Sequence, residues 1–435
     1  MNSTVHVYPA PADVEPSADY QIQVDGQPVF VHSCQVGSFA AFDFEGDIEV
    51  SIRCREHSGS ALVRPHSCKI EAHFEGEALK FRLNEPGNFY VEFGSGMPPL
   101  MLFANSVEKE RPAADDPKVL WFKAGEVYDV GRLEIPSGHT LYIEGGAVLK
   151  GAVYAAQGEN VRICGRGLID GSHFAYQELR LLVFEGCQNV QVEGIMTVGT
   201  PSWNLVFGAC DKVHVDNVKL IGWVVCSDGI DIVGSRDVVV QNCFLRNNDD
   251  CVAVKAVSYD MRSKYSIGLD WRRDVENVLV EKCVMYNDRA GNVMEIGFET
   301  QTNSMRNITF RDIDVLAGHG EGGVFTIHNG DRATVSDVLY ENIRVEHFYS
   351  KLVDFRIMHS RYSKDAERGQ IRNVTLRNVQ TIADKYNVIS LIGGFDAEHT
   401  VENIHFENFV MGETKVLSPD DLNLFSRNAQ NVTFQ

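Results

Sequence analysis

No stretch of this chain approaches the roughly 18–20 apolar residues of a membrane span. Its start, MNSTVHVYPAPADVEPSADY, has neither a basic n-region nor the apolar run of a secretory signal. Positive charge is scarce: 40 Lys and Arg stand against 60 Asp and Glu, a net charge of −20. That balance argues against nucleic acid and anionic membrane surfaces as partners, because phosphate binding needs a basic surface. It also disfavours a polyanionic substrate unless a local basic pocket holds one. The ten cysteines contain no metal-type C-x-x-C pair. There is no His-rich ligand spacing, no Gly-rich phosphate loop and no Ser-His-Asp arrangement, so neither metal nor cofactor is implied. Cys187 and Cys210 each lie three residues before a repeated Val, and Cys243 and Cys283 each lie five residues after one. Stacked thiols in a reducing compartment fit this better than disulfides, and the chain reads as cytoplasmic.

What is present is a repeat. An Asn or Asp followed by β-rich alternation recurs about ten times after residue 118. Examples are Asn160-Val161-Arg162-Ile163, Asn189-Val190-Gln191-Val192, Asp237-Val238-Val239-Val240, Asn277-Val278-Leu279-Val280, Asn307-Ile308-Thr309-Phe310, Asn373-Val374-Thr375-Leu376 and Asn403-Ile404-His405-Phe406. The spacing predicts a parallel β-helix, with Val, Ile, Leu and Phe stacked inside and the Asn residues in left-handed turn geometry. A propeller is the main competitor, but its blades need about 40–45 residues and most units here are shorter. Residues 1–110 lack this repeat. Short alternating runs such as Tyr20-Gln21-Ile22-Gln23-Val24 and Phe89-Tyr90-Val91-Glu92-Phe93, separated by turns, predict a small antiparallel β-sandwich. Residues 111–117 read as a linker, and 118–435 as the solenoid that carries catalysis.

The stretch 226–256 is where chemistry concentrates. Sliding Ser227-Asp228-Gly229-Ile230-Asp231-Ile232 onto Asp249-Asp250-Cys251-Val252-Ala253-Val254-Lys255 puts Asp228 over Asp250, Ile230 over Val252 and Ile232 over Val254. Stacked coils sit about 4.8 Å apart, so Asp228, Asp249 and Asp250 should form one patch of like charge. At least one should then have a raised pKa. Glycosidic cleavage needs this: one carboxyl keeps a proton for the leaving oxygen while another stays ionised. The insertion at 258–274 carries Tyr259, Tyr265 and Trp271 beside Arg262, Lys264, Arg272 and Arg273. Loops on solenoids often build the cleft, so Trp271, with Trp203 and Trp223 from earlier coils, is a candidate platform for a sugar face.

The run Thr200-Pro201-Ser202-Trp203-Asn204-Leu205, together with Ser227-Asp228-Gly229 and Asp249-Asp250, resembles the polygalacturonase family, glycoside hydrolase family 28. The stretch 292–310, behind an N-terminal sandwich, is similar to the dextranase and isopullulanase family, family 49. The resemblance implies a right-handed parallel β-helix and inverting hydrolysis. Asp249 would be the general acid, and Asp228 and Asp250 would position and deprotonate water. Inversion goes with carboxyls about 6.5–9.5 Å apart, which demands that the stacked side chains splay. The family's Gly-His-Gly is replaced by Arg289-Ala290-Gly291-Asn292, while Gly318-His319-Gly320 comes later and reads as a coincidental loop. The family's carboxylate-gripping Arg-Ile-Lys falls on Thr326-Ile327-His328. Both losses favour a neutral α-linked oligosaccharide, with hydroxyls held by Glu295, Glu299 and His328. The alternatives are a polygalacturonase on oligogalacturonides, with Lys255, Arg272, Arg273 or Arg356 supplying the cations, and a non-catalytic carbohydrate-binding β-helix.

Overall fold

The computed structural model describes residues 3–56, 59–94, 96–258, 267–382 and 389–435. The strands from Val119–Phe122 to Ala429–Phe434 form one continuous sheet of thirty, which winds as a parallel β-helix. Each strand pairs with its counterpart one coil later. One ladder runs Leu182–Glu185, Leu205–Gly208, Ile230–Val233, Val252–Ala256, Met294–Thr300, Gly323–Asn329 and Lys351–Ile357. Along it, Ile230, Val252, Met294, Phe325 and Val353 stack inward and are fully buried. The residues between them point to the outer face, because side chains alternate along a strand.

The recurrent Asn has a clear physical role. Asn160, Asn189, Asn277, Asn307, Asn373, Asn403 and Asn431 all adopt φ between 53° and 59°, as do Lys212, Asp237 and Asp337. Asn and Asp tolerate this left-handed region better than other residues with a side chain. Their amides also bond from coil to coil: Asn277 donates to Asp237 at 2.8 Å, and Asn307 donates to Asn277 at 2.8 Å. A second ladder, not legible as a motif, runs through Asn217, Asn242, Lys282, Asp312, Asn342, Asn378 and Asn408, again at positive φ.

The N-terminal region forms a six-stranded and a five-stranded sheet enclosing their own core. It is antiparallel except where Leu100–Ser106 pairs parallel with Gly37–Glu45. Those two strands are buried almost throughout because both of their faces are covered. One face looks into the sandwich. The other presents Phe39, Tyr90, Met101 and Phe103 to Leu168, Met196, Ile221, Phe244 and Leu316 of the β-helix. Arg64 seals this contact by donating to Glu346 at 2.6 Å. The sandwich thus covers a different side of the helix from the ladder that carries Lys255.

Two substitutions test the Asn ladder. Asn277→Gly loses the two amide bonds only. Asn277→Val also forces a β-branched residue into the left-handed region, at about 1–2 kcal/mol more. Urea midpoints should fall for both and further for Val; equal losses would remove the conformational argument.

Candidate active site

The chain turns between Lys219–Ile221 and Ile230–Val233 with Cys226 at φ 71°. Asp228 leads into the next strand, as Asp249 and Asp250 lead into Val252–Ala256. The backbone N–H of Gly229 donates to Asp250 O at 2.8 Å, and Ile230 N–H to Cys251 O at 3.0 Å. Together with Ile230 over Val252 and Ile232 over Val254, this brings the three aspartates together as the repeat predicts.

Each carboxylate faces its own donor. Asp249 Oδ2 accepts the Cys226 N–H at 2.8 Å. Asp250 Oδ1 accepts the N–H and the side-chain amide of Asn292, at 2.7 and 3.0 Å. Asp228 Oδ2 lies 2.9 Å from Lys255 Nζ, which lies equally close to Asp231 Oδ1. The three side chains therefore splay toward separate partners. Asp228 and Asp250 are buried at 3% and 6% exposure, while Asp249 is half-buried. Burial, with repulsion from Asp228, pushes Asp249 up to about 7 against the pull of the Cys226 N–H. Burial, with Asp228 and Asp249 adding repulsion, also raises Asp250 well above the usual carboxylate range. Burial, with Asp231 adding repulsion, raises Asp228 to about 8 even with Lys255 pulling it back.

Glycine matters at one point here. Gly291, at φ 66°, packs where a Cβ would sit 2.3 Å from Asp249 Oδ1 and 2.6 Å from Asp250 Oδ1. Asn287 ties the same turn to Asp249 O at 2.8 Å and takes the N–H of Gly320 at 2.7 Å. Gly320 is therefore part of the frame behind the acid turn, while His319 faces His347 at 2.6 Å. Asn287, Asn292 and Asp231 were not among the expected site residues. Outward parity in Ile230–Val233 and Val252–Ala256 is the signal that pairs Asp231 with Lys255.

The other expected contacts divide. Trp203 is half-buried between the Arg180 guanidinium, 3.9 Å from its ring centre, and Lys255 Nζ at 4.1 Å. Glu295 is fully buried and adds to the field on Asp250. Half-buried Glu299 acts on Lys255. His328 Nδ1 lies 2.9 Å from Glu295, and its Nε2 lies 3.2 Å from Asp354. Burial opposes the charge on His328, but the two acids outweigh it and raise its pKa to about 9. Trp271 is a correction. It is 0% exposed, packed with Tyr154, Val183, Val206 and Val233, and its Nε1 donates to Glu185 at 3.1 Å. It offers no face to a sugar. Trp223 is exposed instead, at 42%. Arg272 pairs with Asp270, Arg273 with Asp211 and Arg356 with Asp354. Tyr259, Arg262, Lys264 and Tyr265 lie outside the described residues. Among the described residues, no group of three or more His, Cys, Asp and Glu could hold a metal ion.

The family model for Glycosyl hydrolases family 28 matches residues 159–418. An exopolygalacturonase of Cochliobolus carbonum is 21% identical over 314 residues, 64% of this chain and 65% of that protein. A probable polygalacturonase of Arabidopsis thaliana is 26% identical over 145 residues, 29% of this chain and 32% of its own length. The chain thus spans less than two thirds of either relative. Among solved structures, Dex49A from Penicillium minioluteum superposes with a TM-score of 0.71 at 13% identity, covering 100% of this chain and 96% of that one. A family 28 exopolygalacturonase from Yersinia enterocolitica gives 0.52 at 14% identity, covering 99% and 96%. At these identities the likeness is one of fold.

Lys255→Met tests the electrostatics. It strands Asp228 and Asp231 without their cation, and breaking a buried pair in this way costs about 3–5 kcal/mol. Both acids then take up protons more readily. With Asp228 at about 8 in the parent and higher in the variant, the deficit in melting temperature against the parent should shrink as pH falls from about 9 to 7. A deficit that is constant with pH would show that the amine serves packing alone.

Proposed function

Because the chain belongs to glycosyl hydrolases family 28 and is a glycoside hydrolase, we propose that it cleaves an α-linked, neutral oligosaccharide with inversion, using Asp249, Asp228 and Asp250. The observation that carries this reading is the crowding of three buried acids with one of them, Asp249, reaching partly into solvent. Asp249 holds its proton near neutral pH and gives it to the leaving glycosidic oxygen. Lys255 Nζ, 2.9 Å from Asp228, pulls that acid toward its charged form against the burial that raises it. Asp228 and Asp250 orient a water and take its proton as its oxygen attacks the anomeric carbon from the opposite side. The C–O bond to the leaving group breaks, and the proton from Asp249 closes the balance.

A neutral sugar is supported by the state of the nearby cations. Lys255, His328, Arg356, Arg272 and Arg273 each already face an acid of this chain. The second reading is an oligogalacturonide substrate, favoured by the relatives described as polygalacturonases. All ten cysteines are free thiols, which supports a reducing, cytoplasmic setting and hence short imported oligosaccharides.

The test is a panel of α-1,6-glucan and galacturonan oligomers read by product NMR, which gives sugar and anomer together. Asp249→Asn should lower turnover about 10²–10⁴-fold while binding persists. kcat/KM should decline as pH rises through about 7, since the donor must be protonated. Activity flat to pH 9, or retained by Asp249→Asn, would remove Asp249 from the role of acid.

A further inference from the structure

We infer that residues 267–274 close one end of the acid-bearing face, so that the enzyme releases units from a chain end and does not cut within a polymer. This rests on the hydrolase reading above. The outer face of the ladder changes character at the acids. It is polar from Lys255, on the strand that Asp249 and Asp250 lead into, through Glu295, then Thr326 and His328, then Asp354 and Arg356 on the coils after it. On the coils before them the same face carries Tyr154, Val183 and Val206, Val233 continues it on the strand that follows Asp228, and Trp271 fills it. Val206, Val233 and Trp271 are 0% exposed. These four successive strands, three steps from first to last, remove about 14 Å of face.

The plug is built, not incidentally packed. Glu185, itself 0% exposed, takes four donors: Tyr154 Oη at 3.0 Å, the N–H groups of Ile267 and Leu269 at 3.0 and 3.2 Å, and Trp271 Nε1 at 3.1 Å. A carboxylate buried this deeply is tolerable only while those donors stay in place. Lifting the segment would strand it, so the segment is a fixed wall and not a door. Arg273 fastens the far end, donating to Ala209 O at 2.6 Å and to the Asp211 carboxylate at 2.7 and 2.8 Å. The coils also leave room for it. A Cβ on Gly208 would lie 2.3 Å from the Trp271 ring, and one on Gly234, at φ 57°, 2.0 Å from Trp271 O. Trp203 borders the wall on the side of Lys255. A glycan laid across Asp249 can therefore run on along the polar coils but has no path over the apolar ones. Glu185 and Trp271 act here as positioning residues for the substrate end.

The experiment uses hexamers of α-1,6-glucan and of galacturonan, fluorescently tagged at the reducing end and stopped below a tenth of conversion. The native enzyme should yield one product length from the first time point, with the tag showing which end is trimmed. Trp271→Ala, checked for folding by circular dichroism, should add internal cuts as at least a tenth of early product. If that variant does not fold, Leu269→Ala and Glu185→Gln serve in its place with the same expectation. Random early products from the native chain overturn the inference and leave the hydrolase reading standing. Folded variants that keep a single product length also overturn it. Failure to cut either hexamer sinks both.

Discussion

The coil-to-coil register is the constraint on which everything else depends. Backbone bonds such as Gly229 N–H to Asp250 O fix each coil one step above the last. The left-handed Asn positions keep that step the same at every turn. Residues about 22 apart in sequence thereby become neighbours, and three aspartates from two segments meet without any long-range packing to aim them. A slip of one residue would turn Asp231 and Lys255 inward and bring Ile230 and Ile232 out, because strand parity is two. The hydrophobic interior thus enforces the placement of the charged exterior.

Given that register, electrostatics shapes the site. Asp228, Asp231, Asp249 and Asp250 crowd a region where Lys255 is the cation paired directly with the acids. The buried group cannot ionise in full. Asp249, at the mouth and held by a backbone N–H, is left as the acid that reaches solvent. Asn292 and Asn287 fix the turn from behind, and Gly291 leaves the space in which the Asp249 and Asp250 carboxylates lie. The frame is neutral and rigid, so the charged side chains are the part of the site whose state responds to pH.

The architecture and the acid trio were legible because both are written in short, periodic signals. The period, the turn residue and the Asp pair each survive in isolation. Trp271 was not legible. An aromatic on an insertion reads equally well as cleft wall or as plug, and the choice is made by Glu185, about 86 residues earlier, whose burial no local pattern announces. Asp231 lies between these cases. Its outward parity beside Lys255 is in the sequence, but the proximity of Asp228 draws attention away from it. The second Asn ladder escaped for another reason: Lys282 and Asp312 share its positions, so composition blurs what geometry keeps constant.

The outer face is asymmetric, and that asymmetry bears on the sugar. Before the acids it is apolar and covered. After them, charge of both signs is dense: Glu295 faces His328, Asp354 faces His328, Lys351 and Arg356, and Glu299 acts on Lys255. A uronate carboxylate about 5 Å from an acid without a cation would meet a repulsion of about 3 kcal/mol at an effective dielectric near 20. Within a pair the acid and the cation offset each other's field, so Glu295 and Asp354 repel a carboxylate by much less than that, and the paired Lys255, His328 and Arg356 attract one by much less. A hydroxyl meets no such penalty and can donate to the same oxygens. A uronate that drew one of these cations to itself would open its pair. The carboxylate left behind would be buried and uncompensated, a cost of about 3–5 kcal/mol to set against the new contact.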